Sequence, residues 1–227
     1  VGADALSEPA SEKSALSEPA SEKSALSEPA SEKSALSEPA SETSALSDSS
    51  FGVCVYCASA DGIDPAHVRL AEEVGRAVAA RGWTLVSGGG RRSMMGAVSR
   101  GARDGGGRTI GVIPRSMVER EWADHDCDEL LITDTMRERK AMMDAHADAF
   151  ITLAGGLGTC EELFETWSAR VLELHIKPVV LLDPDGHFGG LLEWLRTVAD
   201  AGFARPAALG LLVVTTTVDA ALDACRG

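Results

Sequence analysis

Residues Ala154-Gly155-Gly156-Leu157-Gly158-Thr159-Cys160-Glu161-Glu162 decide how this chain is read. The apolar run just before them, Ala149-Phe150-Ile151-Thr152-Leu153, has the character of a buried strand, and the amphipathic run over residues 161–173 that of a helix. A glycine-rich turn between strand and helix exposes backbone N–H groups at the positive end of the helix dipole, which suits an anion such as phosphate. Three glycines within four positions let the backbone approach a ligand where a Cβ would clash. A second reading stays open at this point. Thr159 followed by Glu162 also fits a capping box, in which Glu162 only satisfies an orphan backbone N–H. The turn is neither a P-loop nor the dinucleotide fingerprint, so other stretches must decide.

Working outward, residues 51–57 read as a first strand, followed by the loop Ser59-Ala60-Asp61-Gly62. Asp64 then reads as an N-cap with Pro65 at the first helical position, Val68, Ala71, Val74 and Val78 as the apolar stripe, and Gly82 as the stop. Residues 83–87 form a second strand. Gly88-Gly89-Gly90 follows at once, with Arg91-Arg92-Ser93-Met94-Met95-Gly96 opening a helix to about residue 104, a second glycine-rich turn from strand to helix. Further strands are expected at 108–113, 130–133, 178–183 and 211–215, and further helices at 135–147, 190–201 and from 218, with 115–128 irregular and charged. Apolar strands alternating with helices give an α/β fold, a Rossmann-like parallel sheet with helices on both faces. Ligands of such sheets sit beyond the carboxyl ends of the strands where the order reverses. Both glycine-rich turns lie at carboxyl ends, so they are expected to converge on one ligand.

The first fifty residues differ from the rest. Ala-Leu-Ser-Glu-Pro-Ala-Ser-Glu-Lys-Ser begins at Ala5 and returns at Ala15, Ala25 and Ala35, the last copy with Thr43 in place of Lys. One Leu per ten residues builds no core, and a Pro in every copy breaks a helix. Residues 1–50 are therefore expected to form a disordered acidic repeat tail, and residues 51–227 a single domain. The tail holds ten acidic and three basic residues, and the remainder 25 and 18, so each contributes −7 to the net charge of −14. That balance argues against nucleic acid and anionic membranes as partners. No apolar run approaches the roughly 20 residues of a membrane span, and no signal-peptide pattern opens the sequence. Five Cys without framework spacing suit a cytoplasmic protein. Cys54 and Cys57, three apart on a strand, point to opposite faces and do not read as a metal or redox pair. The five His show no ligand pattern, so no metal is expected, and no other cofactor is expected either.

With these residues quoted, the folded part resembles the Lonely Guy family of cytokinin riboside 5′-monophosphate phosphoribohydrolases. Residues 154–162 resemble its Pro-Gly-Gly-x-Gly-Thr-x-x-Glu motif, with Ala154 where the family has Pro. Met136, Arg139, Lys140 and Met143 resemble its Met-x-x-Arg-Lys-x-x-Met motif. Gly88, Gly89 and Gly90 with Met95 and Gly96 resemble its Gly-Gly-Gly…Met-Gly turn, with Ser93 where many members have Gly. Ile113-Pro114-Arg115 and Arg120-Glu121 resemble the next segment. The resemblance implies cleavage of the N-glycosidic bond of an isoprenoid-substituted adenosine 5′-monophosphate, or of AMP, to free base and ribose 5-phosphate. It implies Arg139 and Glu162 as the catalytic pair. Substrate would be contacted by Glu121, Lys140, Ser168 and the turn from Gly155 through Gly156, Leu157, Gly158, Thr159, Cys160 and Glu161. It also implies a homodimer with sites near the interface.

The chemistry is consistent. Departure of a purine builds positive charge on the sugar, which a carboxylate such as Glu162 would stabilise while the turn anchors the 5′-phosphate. Arg139 offers a fixed fork for phosphate, ribose or a carboxylate. Neighbouring helical residues diverge by about 100°, so Arg139 and Lys140 share one pocket only if a helix end faces it. From spacing alone they read as two solvated charges. Met136 and Met143 read as core contacts on one helix face, and Trp167 as a core residue. Two rival functions are a non-catalytic nucleotide-binding module of the same fold and a pyridoxal-phosphate lysine decarboxylase. The second needs a Schiff-base Lys, and outside the tail only Lys140 and Lys177 exist.

Overall fold

The computed structural model describes residues 50–227 with the exception of Glu121. The repeat tail expected over residues 1–50 lies outside the described residues, Ser50 apart. In chain order the elements are β1 (Gly52–Tyr56), α1 (Pro65–Ala80), β2 (Thr84–Ser87), α2 (Ser93–Asp104), β3 (Thr109–Pro114), α3 (Arg115–Val118), β4 (Glu129–Thr133) and α4 (Met136–Ala145). They continue with β5 (Ala149–Thr152), α5 (Leu157–Val171), β6 (Val179–Leu182), α6 (Gly189–Asp200), α7 (Pro206–Leu209), β7 (Leu212–Thr215) and α8 (Val218–Ala224). The sheet is parallel throughout, in the order β4-β3-β2-β1-β5-β6-β7. The chain works outward from β1 to β4, then returns to the other side of β1 with β5. The order therefore reverses between β1 and β5, and the crevice outside their carboxyl ends is the expected ligand position.

The period-two alternation of the strands divides the core into two layers. Val53, Val55 and Cys57 face one side with α1, α2 and α8, while Cys54 and Tyr56 face the other with Met143 of α4, Leu163 and Trp167 of α5 and Leu195 of α6. Cys54 and Cys57 thus sit buried on opposite faces of the sheet, and burial pushes both thiols above their ordinary range. The start of α1 is as the sequence specifies: Asp64 accepts from the Ala66 N–H at 2.8 Å, and Gly82 adopts φ +70° just past the end. A short helix, α3, falls where irregular chain was expected, and another, α7, in a stretch for which no element was expected.

One close approach fixes the face that carries α1 and α2. Gly75 on α1 has no room for a Cβ, which would press on the Val98 carbonyl and lie 2.7 Å from the Ala102 nitrogen on α2. Gly101 on α2 meets the Glu72 backbone in the same way. The helices meet backbone to backbone, with no side chain between to yield. Gly75→Ala is therefore expected to destabilise by about 1–3 kcal/mol through overpacking, despite the roughly 1 kcal/mol that Ala gains in helix propensity. At about 2–4 °C per kcal/mol for a domain of this size, thermal melting should fall by several degrees. An unchanged or raised melting temperature would mean that the helices separate at no cost.

Candidate functional site

A cavity of about 500 Å³ opens in the crevice at the carboxyl ends of β1 and β5. Its floor is the turn after β5. Gly156 is the N-cap of α5, and among the described residues no side chain caps the helix, which leaves the N–H groups of its first turn open to a ligand. Gly156 and Gly158 line the cavity with open space where a Cβ would be, and Thr159 lines it from within the first turn. Gly155 does not reach the cavity. Its missing Cβ makes room for the Thr159 side chain. The helix starts at Leu157, four residues earlier than the sequence pattern suggests, so Thr159 is not an N-cap and the capping-box reading of Thr159 and Glu162 does not hold. The capping box lies instead in α4, between Thr135 and Glu138.

Glu162 has another partner. Arg139 of α4 donates from Nη1 to Glu162 Oε1 at 2.9 Å, and its Nε donates to the Val112 carbonyl at 3.1 Å. Both side chains are buried, 6% and 9% exposed, yet both line the cavity. Gly88 is the reason the guanidinium fits, since a Cβ there would collide with Arg139 Nη2. Burial pushes the Glu162 carboxyl above its ordinary value, and the Arg139 charge opposes that push without cancelling it.

The turn after β2 forms a second wall through Gly88, Gly90, Arg92 and Met95. Both glycine-rich turns therefore converge on one cavity. Gly89 and Gly96 do not line it. Gly89 takes φ +68° and packs against β3, and a Cβ on Gly96 would strike the Arg91 carbonyl. The turn is tied to the segment after α3 by Arg91 N–H to Trp122 O at 2.9 Å and Asp124 N–H to Gly89 O at 2.8 Å. Those bonds bring Trp122 to the cavity beside Ile113, Met117 and Met136. Met136 is thus a cavity residue, 42% exposed, and not the core contact its spacing suggested, whereas Met143 is buried as expected.

Other expected site residues lie elsewhere. Lys140 turns away from Arg139 to pair with Glu161 and Glu165, beside a neighbouring depression lined by Tyr56, Arg137 and His175. Ser168 is exposed on the same helix as Glu165, and neither Leu157 nor Cys160 lines the cavity, although Glu161 does. Glu121 is outside the described residues. Trp167 is a core residue whose Nε1 donates to the Ala208 carbonyl at 2.9 Å. Residues 57–61, the loop after β1, line the cavity and were not singled out from the sequence. Their signal was available, because a loop at the carboxyl end of the strand where the order reverses belongs to the crevice. Among the described residues no lysine lines the cavity. Lys177 is held by the Asp144 carbonyl and carboxylate, so neither lysine is placed for a Schiff base there.

A family model described as possible lysine decarboxylase matches residues 95–225. The cytokinin riboside 5′-monophosphate phosphoribohydrolase of Mycobacterium tuberculosis is 53% identical over 176 residues, covering 76% of this chain and 92% of that protein. The rice protein LOG, with the same description, is 41% identical over 165 residues, covering 73% and 68%. Among solved structures, the molybdenum cofactor carrier protein of Chlamydomonas reinhardtii superposes with a TM-score of 0.58 at 25% identity, over 78% of this chain and 96% of that one. The molybdenum cofactor binding protein of Rippkaea orientalis, at 21% identity and a TM-score of 0.56, covers 78% and 94% and shares the fold. On these grounds the chain belongs to the LOG family of cytokinin riboside 5′-monophosphate phosphoribohydrolases.

Proposed function

We propose that this protein hydrolyses the N-glycosidic bond of cytokinin riboside 5′-monophosphates, and of AMP, to free base and ribose 5-phosphate. The observation that carries this reading is the buried Arg139–Glu162 pair in the wall of a cavity floored by the uncapped N-terminus of α5. The 5′-phosphate sits on the N–H groups of that first turn, where the helix dipole favours negative charge. Glu162, one turn further along α5, then faces the ribose. As the C–N bond breaks, positive charge grows on the sugar, and the carboxylate stabilises it or takes a proton from the attacking water. Water supplies hydroxyl to the anomeric carbon, and the departing base gains a proton. Arg139 holds the carboxylate in place and favours its ionised form against the effect of burial. The apolar side chains of Met95, Ile113, Met117 and Trp122 suit a purine and an isoprenoid group.

We further propose that the active form is a homodimer. Leu172, Leu174 and Ile176, just past α5, are 68–89% exposed, a cluster that a soluble monomer leaves in water at a cost. Lys140 and Ser168 do not line their own chain's cavity, which fits substrate contacts made across an interface. Light scattering is expected to give twice the 23.7 kDa of one chain. A Leu174→Glu, Ile176→Glu double variant should shift it to monomer, whereas a wild-type monomer would refute the assembly.

Incubation with isopentenyladenosine monophosphate, followed by chromatography, should show free base, with the nucleoside lacking phosphate a very poor substrate. Bound but intact nucleotide would leave a binding module of the same fold. Glu162→Gln should lower kcat by about 10²–10³-fold, the usual effect of losing one such electrostatic group. Gln still accepts from Arg139, so the fold should persist with a modest drop in melting temperature. Because the Glu162 carboxyl titrates above its ordinary value of 4.5, the ionised form is lost as pH falls through that raised value. The acid limb of kcat/KM should therefore lie above pH 4.5 and vanish in Glu162→Gln. Near-normal turnover by the variant would return Glu162 to a structural role.

A further inference from the structure

The turn that floors the cavity is built from residues that cannot hold it. Ala154, Gly155 and Gly156 carry no ring and no branched side chain, so their own side chains restrict the backbone here very little. Three hydrogen bonds fix it. The Ala58 N–H donates to the Ala154 carbonyl at 3.1 Å, and the Cys160 N–H to the Gly156 carbonyl at 3.0 Å. The third comes from a side chain on a different loop: His187 donates from Nε2 to the Gly155 carbonyl at 3.0 Å.

The loop between β6 and α6 is shaped to present that imidazole. Asp183, 8% exposed, accepts from the Phe188 N–H at 3.1 Å, and the Gly189 N–H donates to the Gly186 carbonyl at 3.0 Å. Gly186 takes φ +73°, a conformation other residues resist. Phe188 is buried and anchors the loop, and its ring meets the His187 imidazole edge-on at 4.7 Å. The His67 ring of α1 lies on another side, 6.1 Å away. β6 is the neighbour of β5 in the sheet, so this loop stands beside the glycine turn.

We propose that His187 is a positioning residue for phosphate binding, acting through the Gly155–Gly156 peptide. This rests on the hydrolase reading above. In a planar trans peptide the carbonyl and the N–H point in opposite directions. Holding the Gly155 oxygen toward His187 therefore turns the Gly156 N–H away from it, a direction that in this proposal leads into the cavity that Gly156 lines. A peptide between two glycines flips with little steric resistance, and the flipped form would present a carbonyl oxygen to the phosphate. His187 touches no substrate. It selects the peptide orientation that offers a donor.

The test is His187→Ala beside His187→Gln, which keeps a donor of similar reach. Replacing the imidazole with Ala should raise KM for the nucleoside monophosphate about ten-fold with kcat little changed, the scale of one hydrogen bond to a charged group. Slow turnover of the nucleoside lacking phosphate should not change, and Gln should restore most of the loss. Calorimetric titration with AMP should show the same ten-fold weakening without relying on turnover. Wild-type protein that binds AMP without releasing base would sink the hydrolase reading and still let the titration judge His187. Affinity for AMP unchanged within two-fold in the Ala variant would overturn the proposal. So would a nucleoside KM rising in parallel, or failure of Gln to rescue.

Discussion

The buried ion pair between Arg139 and Glu162 is the constraint on which the site depends. Two charges are withdrawn from water at considerable cost, and their attraction recovers it only if the remaining donors and acceptors are satisfied. Here the Val112 carbonyl takes the Arg139 Nε proton, and the absent side chain of Gly88 gives the guanidinium its space. The pair thus needs β3, the turn after β2, α4 and α5 in register at once. Replacing it with apolar groups would cost the fold little. Its presence in a cavity wall is better explained by the charge it keeps available than by the stability it adds.

The sheet order supplies the rest of the geometry. Since β1 lies beside both β2 and β5, the loops leaving all three strands open on the same side of the molecule. Two helix N-termini then point at one cavity, each preceded by glycines. Their glycines do different jobs. Gly156 and Gly158 leave backbone exposed to a ligand, whereas Gly75, Gly96 and Gly101 let backbones pack where a Cβ would clash. The same residue type is functional in one turn and structural in the next, and spacing alone does not separate the two.

Much was legible in the sequence because it is encoded locally. Strand alternation, the Asp64-Pro65 helix start, the Gly82 stop and the two glycine-rich turns are set by side-chain period and backbone sterics within a few residues. The resemblance of residues 136–143 and 154–162 to family motifs singled out Arg139 and Glu162, which spacing alone read as a solvated charge and a possible helix cap. What was lost is non-local. Met136 and Met143 share a helix face by spacing, yet one lines a cavity and the other is buried, because α4 is only partly covered. Trp122 reaches the site through hydrogen bonds from Arg91 to its carbonyl and from Asp124 to Gly89, partners some thirty residues apart in the chain.

Sequence by itself determined the fold class, the alternation of strands and helices along the chain, and the two glycine-rich turns at strand ends, since each follows from local propensity and periodicity. Tertiary structure alone decided which charges meet. Arg139 and Lys140 are adjacent in the chain, but a helix turns about 100° per residue, so one enters the cavity to pair with Glu162 and the other turns to Glu161 and Glu165. It also decided that Glu162 is no cap, because α5 begins four residues earlier than its amphipathic pattern, and that His187 reaches Gly155 across 32 residues of chain. The physical reason is the same in each case: direction and burial are properties of packed elements, and no residue carries them in its own local sequence.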